Sequence, residues 1–275
     1  MTQLKFSKLK LKINRISAVS TIQRFFIEIA YKGTAYHGWQ TQPNALAVQE
    51  ILDQKLSVVL RQNIETLGCG RTDAGVHATQ FFAHFDMFCL DDLNITNPQT
   101  IKSINAVLPV DIVVKQIIKV NNKAHARFDA TLRSYQYHIH FNKDPFKTES
   151  GWLYKNDVLD VEAMNLAAAI ILKYDDFACF CKANADNHTN ICNLFCCEWH
   201  KTDDGLIFYI TANRFLRNMV RAIVGTLIDV GLGKLKPEAL HNIICSKNRS
   251  NAGASVPACG LYLTKINYNY INNGQ

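Results

Sequence analysis

Long apolar runs are absent from this sequence. No stretch approaches the roughly 18 to 20 apolar residues that a membrane span requires, and the short segment ISAVSTI near the start contains two serines, unlike a secretory signal. Prolines are also few, 6 in 275 residues. With 48% hydrophobic and 19% charged residues, the composition predicts a soluble globular protein that makes no membrane contact.

Acidic residues are absent from residues 1–24, where six lysines and arginines account for most of the formal net charge of +7. We expect this basic leader to be a flexible extension; an organellar presequence is the alternative, although the leader favours lysine over arginine. The rest of the chain carries about +1. Affinity for a polyanion must therefore come from local basic clusters, of which the sequence offers two: Lys123, Arg127 and Arg133, and Arg214, Arg217 and Arg221.

CxxC pairs are also absent, although the chain has nine cysteines. Without a signal peptide these predict free thiols in a reducing compartment, and hence a cytoplasmic location. Five cysteines crowd around His188: Cys179, Cys181, Cys192, Cys196 and Cys197. Their CxC and CxxxCC spacings are not typical of zinc sites, so we predict that they pack in the core and bind no metal. A zinc-dependent nucleic-acid enzyme is the alternative, which chelator-insensitive turnover would exclude.

Hydrophobic periodicity and turn signals predict the order β-α-β-β-α-β-β through about residue 142. The remainder predicts a helix, a hairpin turning at Asp203–Gly205, a long helix over 214–231, a further helix from Pro237 and a closing strand. The polar segment 141–151 is the best boundary, which divides the chain into halves 25–144 and 145–275. The fold class is therefore α+β, with two similar α/β halves and a mixed, mainly antiparallel sheet.

The segment GCGRTDAGVHA, residues 68–78, is the densest motif. It is no phosphate-binding loop, because Asp73 stands where the third glycine of GxGxxG belongs and would repel a phosphate. Asp73 and His77 could ligate a metal, but their four-residue spacing matters only on a helix, which three glycines disfavour. In isolation, an Asx-turn would be the simplest explanation of this aspartate.

The same segment resembles the catalytic motif of the tRNA pseudouridine synthase A (TruA) family, with Cys69 the only change. Further segments that resemble the family follow in order: IAYKGTAYHGWQ, VQEIL, INAVLP, HARFDATLRSYQY, ANRFLRNMVRAIVGTL and GLYL. The likeness covers roughly residues 25–268. It implies the pseudouridine synthase fold, with the active-site cleft between the two halves.

The resemblance also implies a function: a cofactor-free and typically homodimeric enzyme that isomerises uridine to pseudouridine at positions 38, 39 and 40 in the anticodon arm of tRNA. Asp73 would be the nucleophile, attacking either the ribose C1′ or the base C6. Arg221 would be the cation that pairs with it, and Tyr135 would stack on the target base and assist proton transfer. Arg71 and His77 are candidates for substrate binding, His77 equally for bracing the loop.

The main alternative is a tRNA-binding protein of the same fold without activity. Asp73 discriminates between the two, because a pure binder has no need for a carboxylate that faces polyanionic RNA. In the segment SYQY, we predict that Tyr135 lies at the site and Tyr137 in the core.

Overall fold

The computed structural model describes residues 21–89, 94–155, 158–182 and 188–271. Within these ranges the chain forms nine strands: β1 Thr21–Tyr31, β2 Leu67–Gly68, β3 His77–Cys89, β4 Ile112–Lys119, β5 Ala130–His140, β6 Trp152–Leu153, β7 Leu194–Thr202, β8 Gly205–Ala212 and β9 Leu261–Tyr268. The five α-helices are α1 Val48–Leu60, α2 Pro98–Val107, α3 Val161–Ile171, α4 Met219–Gly231 and α5 Ala239–Cys245.

Two elements confirm the predictions from local signals. Helix α2 begins at Pro98, and the side chain of Asn97 caps it by accepting the Thr100 N–H. Strands β7 and β8 form the predicted hairpin, with Thr202 paired to Gly205 across the turn. The order β-α-β-β-α-β-β through β5 is also as predicted.

Two elements begin elsewhere than predicted. Strand β1 starts at Thr21, where it pairs with Cys89 of β3, so the end of the basic leader joins the sheet, while residues 1–20 lie outside the described part. The long helix predicted over 214–231 begins only at Met219, because Asn218 adopts a left-handed conformation with φ 66°. Arg221 consequently lies in the first turn of α4.

The strands form one mixed sheet in the order β4-β1-β3-β9-β5-β8-β7, with β2 added to β3 and β6 to β5. The β3–β9 and β5–β6 pairs are parallel, and the other pairs between named strands are antiparallel. The observed fold is therefore α+β with a mainly antiparallel sheet, which confirms the predicted class. Among the described residues, no helix is long and apolar enough to span a membrane.

Two hydrophobic cores lie along this sheet. One is built around β1, β3, α1 and α2, and the other around β5, β8, α3 and α4. Strand β5, which we assigned to the N-terminal half, pairs with β8 and β9 of the C-terminal half. The two parts of the sheet meet where β3 runs parallel to β9 over only two residue pairs, His77 with Tyr262 and Ala78 with Leu263.

Candidate active site

The motif loop, residues 69–76, connects β2 to β3 at this junction. Cys69 at its start belongs to the first core and Val76 at its end to the second. The Cys69 N–H donates to the Phe82 carbonyl at 2.7 Å, and the Val76 N–H donates back to the Asp73 carbonyl at 3.2 Å. The loop is thus fixed at both ends, with Asp73 between the two cores.

A second segment, residues 36–39, holds the loop through backbone hydrogen bonds. Trp39 N–H donates to the Thr72 carbonyl at 3.3 Å, and Gly75 N–H donates to the Tyr36 carbonyl at 3.2 Å. The Tyr31 and Thr72 hydroxyls are 2.9 Å apart and hydrogen-bonded. The residues on either side of Asp73 are therefore held by backbone and buried side chains, which orients the carboxylate before any ligand arrives.

Glycines allow the close approach of these two segments. A Cβ on Gly38, whose φ is +91°, would lie 2.3 Å from the Thr72 carbonyl oxygen, so no larger residue fits there. Gly75 in the loop itself takes φ +79°. Gly70, in contrast, has open space where its Cβ would be. The glycine outside the motif is thus as important for placing Asp73 as those within it.

The structure brings Asp73 and Arg221 together, 148 residues apart in sequence. Arg221 Nη1 lies 3.5 Å from Asp73 Oδ2, and the two side chains are 21% and 32% exposed, respectively. Arg221 is aimed by a second bond, from Nε to the Val256 carbonyl at 2.7 Å. A partly exposed ion pair of this kind contributes little to stability.

Helix α4 adds to the positive potential at this carboxylate. Arg221 occupies its first turn, where the helix dipole already places partial positive charge and where an arginine is ordinarily unfavourable. Both the helix end and Arg221 are positive, and Asp73 is the carboxylate that Arg221 contacts.

Tyr135 lies beside this pair and packs against both cores. Its ring meets the Phe215 ring edge-on at 5.1 Å. Burial raises the pKa of Tyr135, and the nearby Cys69 and Asp73 raise it further against the opposing effect of Arg133. The phenol therefore keeps its proton at neutral pH and can donate it. Tyr137 is fully buried and donates to the Pro257 carbonyl at 2.8 Å, which confirms its predicted place in the core.

His77 and Arg71 occupy contrasting positions. His77 is 1% exposed: Nδ1 accepts the Gly33 N–H at 3.0 Å, Nε2 lies 3.1 Å from the Cys259 carbonyl, and the ring stacks on Tyr262 at 4.6 Å. Since Nδ1 accepts, Nε2 carries the proton and donates. Burial lowers the pKa of His77, so the ring is neutral. These contacts favour the bracing role over RNA contact, whereas Arg71 is exposed at the surface of the loop.

Arg133 is a site residue that the sequence analysis misjudged. We counted it among the basic residues available for RNA, but its guanidinium donates to four backbone carbonyls: Ala130 and Asn213 from Nη1, Cys69 and Arg127 from Nη2. It thereby joins the motif loop to the start of β5. The only signal for Arg133 was its place two residues before Tyr135 in the segment HARFDATLRSYQY. The carbonyls that it binds lie on several segments, so no local pattern in the sequence predicts these bonds.

The cysteine-rich segment lies in the second core. Cys179, Cys192 and Cys197 are at most 5% exposed. Burial raises the pKa of Cys179 to about 12 and that of Cys192 to about 11, so both remain neutral thiols. Over the described ranges, no group of three or more His, Cys, Asp or Glu residues could hold a metal ion. These cysteines act as small apolar side chains.

Comparisons with known proteins point to one family. Residues 174–269 match the sequence model of the family described as tRNA pseudouridine synthase. The chain is 45% identical over 249 residues to tRNA pseudouridine synthase A of Bacteroides fragilis, which covers 90% of the chain and 97% of that relative. It is 47% identical over 247 residues to the enzyme of that name from Porphyromonas gingivalis, covering 89% and 97%. The identity is 37% over 248 residues with that of Thermoanaerobacter pseudethanolicus, covering 90% and 100%.

Proposed function

Because the chain belongs to the tRNA pseudouridine synthase A family, whose members isomerise uridine to pseudouridine, we propose that it modifies uridines 38, 39 and 40 of the tRNA anticodon arm with Asp73 as nucleophile. The observation that carries the proposal is the contact between Asp73 and Arg221, which places a partly accessible carboxylate beside a cation where the two halves of the sheet meet.

The reaction breaks the bond between N1 of uracil and C1′ of ribose and forms a bond from C5 to C1′. In one route the Asp73 carboxylate attacks C1′, the uracil leaves with the bonding electron pair and turns, and C5 then displaces the carboxylate. In the other the carboxylate adds to C6 of the base, the N1–C1′ bond breaks, the tethered base turns and C5 bonds to C1′, and loss of the C5 proton then expels the carboxylate from C6. In both routes the C5 proton is lost to water and N1 gains one from water, so the product is an isomer and no cofactor is consumed. Both require an ionised carboxylate.

Arg221 and Tyr135 have separate roles in this proposal. Arg221 stabilises the carboxylate as nucleophile and again when it leaves. Tyr135 stacks on the target base, and its raised pKa keeps its hydroxyl protonated, so that the hydroxyl can donate a hydrogen bond and assist proton transfer. The exposed Arg71 is suited to occupy the place that the base vacates or to contact a phosphate, while His77 holds the loop.

A uridine in a folded arm is stacked, so the proposal includes flipping of the target nucleotide into the site. We further propose that the enzyme acts in the cytoplasm and that it is a homodimer. Sedimentation of the purified protein would test the oligomeric state. Recognition of the arm through shape and backbone contacts fits an A-form helix, whose major groove is closed to side chains.

The proposal is tested with unmodified tRNA transcripts that carry tritium at C5 of uridine. Because C5 exchanges its hydrogen for the bond to C1′, pseudouridine formation releases tritium into water. We expect release from transcripts that carry uridine at 38, 39 or 40, and none when all three positions are cytidine. Release that does not depend on these positions would contradict the site specificity. Binding without any release would instead favour the non-catalytic alternative.

A further inference from the structure

Phe128 is an exposed aromatic side chain directly before β5, with 75% of its surface accessible. Single exposed apolar residues are ordinary, so its exposure alone carries no argument. Phe128 differs from such residues because another ring stacks on it. The imidazole ring of His125 stacks on the Phe128 ring with centroids 4.2 Å apart and an interplanar angle of 29°.

The support under Phe128 is rigid. Nδ1 of His125 accepts the N–H groups of Arg127 at 3.1 Å and Phe128 at 3.2 Å, so the same ring that stacks on Phe128 also fixes its backbone. His84, which is 6% exposed, meets His125 edge-on at 4.7 Å and stacks on the buried Phe26 at 6.1 Å. A column of four rings therefore leads from the first core to the surface, and Phe128 loses little conformational freedom when it is covered.

Charge at the end of this column suits a polyanion. The Arg127 guanidinium carbon lies 5.8 Å from the centre of the Phe128 ring, and Lys123 is exposed in the preceding turn. The neighbouring carboxylate, Asp129, accepts bonds from the His125 N–H at 2.8 Å and the Tyr270 hydroxyl at 2.7 Å. Its charge is thus engaged within the turn.

Arg133 links the turn at the outer end of this column to the motif loop. Nη2 of Arg133 donates to the Arg127 carbonyl at 2.7 Å and to the Cys69 carbonyl at 3.0 Å, so these two segments meet at a single nitrogen atom. The turn that carries Phe128 is therefore tied by one guanidinium group to the loop that carries Asp73.

We propose that Phe128 and Arg127 form a second RNA contact, in which the Phe128 ring receives an unstacked base of the bound tRNA and Arg127 receives a neighbouring phosphate. This inference rests on the proposed function, since it assigns a partner to the surface beside that site. Proteins that bind unpaired nucleotides combine aromatic rings with basic groups in this way. A protein partner would require a far broader apolar patch than a single ring.

The contact is tested by the affinity of the full-length protein for a tRNA transcript with cytidine at 38, 39 and 40, which binds but does not react. We expect Phe128→Ala to raise Kd about tenfold, the loss of one base–aromatic stack. Phe128→Trp should keep the affinity of the unsubstituted protein, whereas Phe128→Leu should not. With reactive tRNA, Phe128→Ala should raise KM and leave kcat unchanged. The matched control is Phe146→Ala, which removes a 93% exposed ring beyond the other end of β5.

Three results would overturn the inference: an unchanged Kd in Phe128→Ala, recovery with leucine equal to that with tryptophan, or a loss of affinity that follows a change in oligomeric state on sedimentation. Tritium release by the unsubstituted protein tests the proposed function separately. If the unsubstituted protein turns over tRNA and the Phe128 variants bind normally, only the inference about Phe128 fails.

Discussion

Two segments of this chain concentrate reactive side chains, and the structure treats them in opposite ways. The motif loop, residues 69–76, keeps the Asp73 carboxylate partly accessible and pairs it with a distant arginine. The cysteine-rich segment buries its thiols at Cys179, Cys192 and Cys197 among apolar neighbours. A dense run of reactive residue types therefore indicates chemistry only where packing leaves the side chains accessible and supplies them with a partner.

Removing the partner of Asp73 should have the largest effect on turnover. We expect Arg221→Leu to lower turnover about a thousandfold, because the carboxylate loses the only cation that contacts it among the described residues. Single-turnover tritium release measures the loss, and circular dichroism checks the fold.

Arg249→Leu is the matched control for this substitution. Like Arg221, Arg249 binds the segment around Val256, through the carbonyls of Ala252 and Gly253 and the Ser255 hydroxyl, but it does not contact Asp73. We expect a less stable protein that retains most of its turnover. Equal losses in both variants would mean that Arg221 acts only by holding that segment.

Tyr135 gives the next largest effect. Tyr135→Ala removes the ring that we place on the target base, and we expect KM to rise about tenfold. Tyr135→Phe keeps the ring and should keep KM, so any fall in kcat in that variant reports the proton that the hydroxyl donates. Steady-state kinetics on tritiated tRNA separates the two. An unchanged KM in Tyr135→Ala would remove the stacking role.

On the other side of the comparison, we expect the cysteines to affect stability without affecting turnover. Cys197→Ser places a hydroxyl in the apolar core and should lower the free energy of unfolding by about 1–3 kcal/mol. Its neighbour Cys196 is only partly buried, so Cys196→Ser should change stability little. Denaturant unfolding measures both. A strong chelator should leave turnover of the unsubstituted protein unchanged; loss of turnover on chelation would restore the metal hypothesis.

The smallest effect concerns the pH dependence of stability near the loop. Burial lowers the pKa of His77, and it lowers the pKa of His84 to about 4. Between that value and the ordinary histidine pKa near 6.5, the unfolded chain binds protons that the folded chain does not. Stability should therefore be complete above about pH 6.5 and fall as the pH drops towards 4.

Thermal unfolding as a function of pH measures this effect. His84→Asn offers an oxygen near the position of Nδ1 for the Ala126 N–H and does not titrate, so its midpoint should fall less steeply between pH 6.5 and 4. Parallel curves for the two proteins would contradict the assignment.

Local signals were sufficient to predict much of the fold. Asn97 and Pro98 predicted the start of α2, and the turn before Gly205 predicted the β7–β8 hairpin. Both features depend on residues within a few positions of one another. What the sequence could not show is non-local. Strand β1 extends to Thr21 because Cys89 pairs with it, and Asn218, at the late start of α4, donates from Nδ2 to the Ser255 hydroxyl at 2.6 Å.

The candidate site divides in the same way. The motif resemblance predicted that Asp73 and Arg221 belong together, and the structure places them in contact. The residues that hold them in place were not foreseen. Gly38, Arg133 and Val256 each make a contact that involves a backbone carbonyl and a residue distant in sequence. Because every residue type has this carbonyl, the sequence does not indicate which one will be used.

The central claim is that the Asp73 carboxylate is the nucleophile, and Asp73→Asn tests it most directly. The substitution keeps size and shape and removes the charge. Asp53→Asn, at another partly buried aspartate on α1, is the control. We predict that Asp73→Asn binds tRNA at least as tightly as the unsubstituted protein and releases tritium more than about a thousandfold more slowly, while Asp53→Asn turns over normally. Turnover by Asp73→Asn at a rate close to that of the unsubstituted protein would contradict the account.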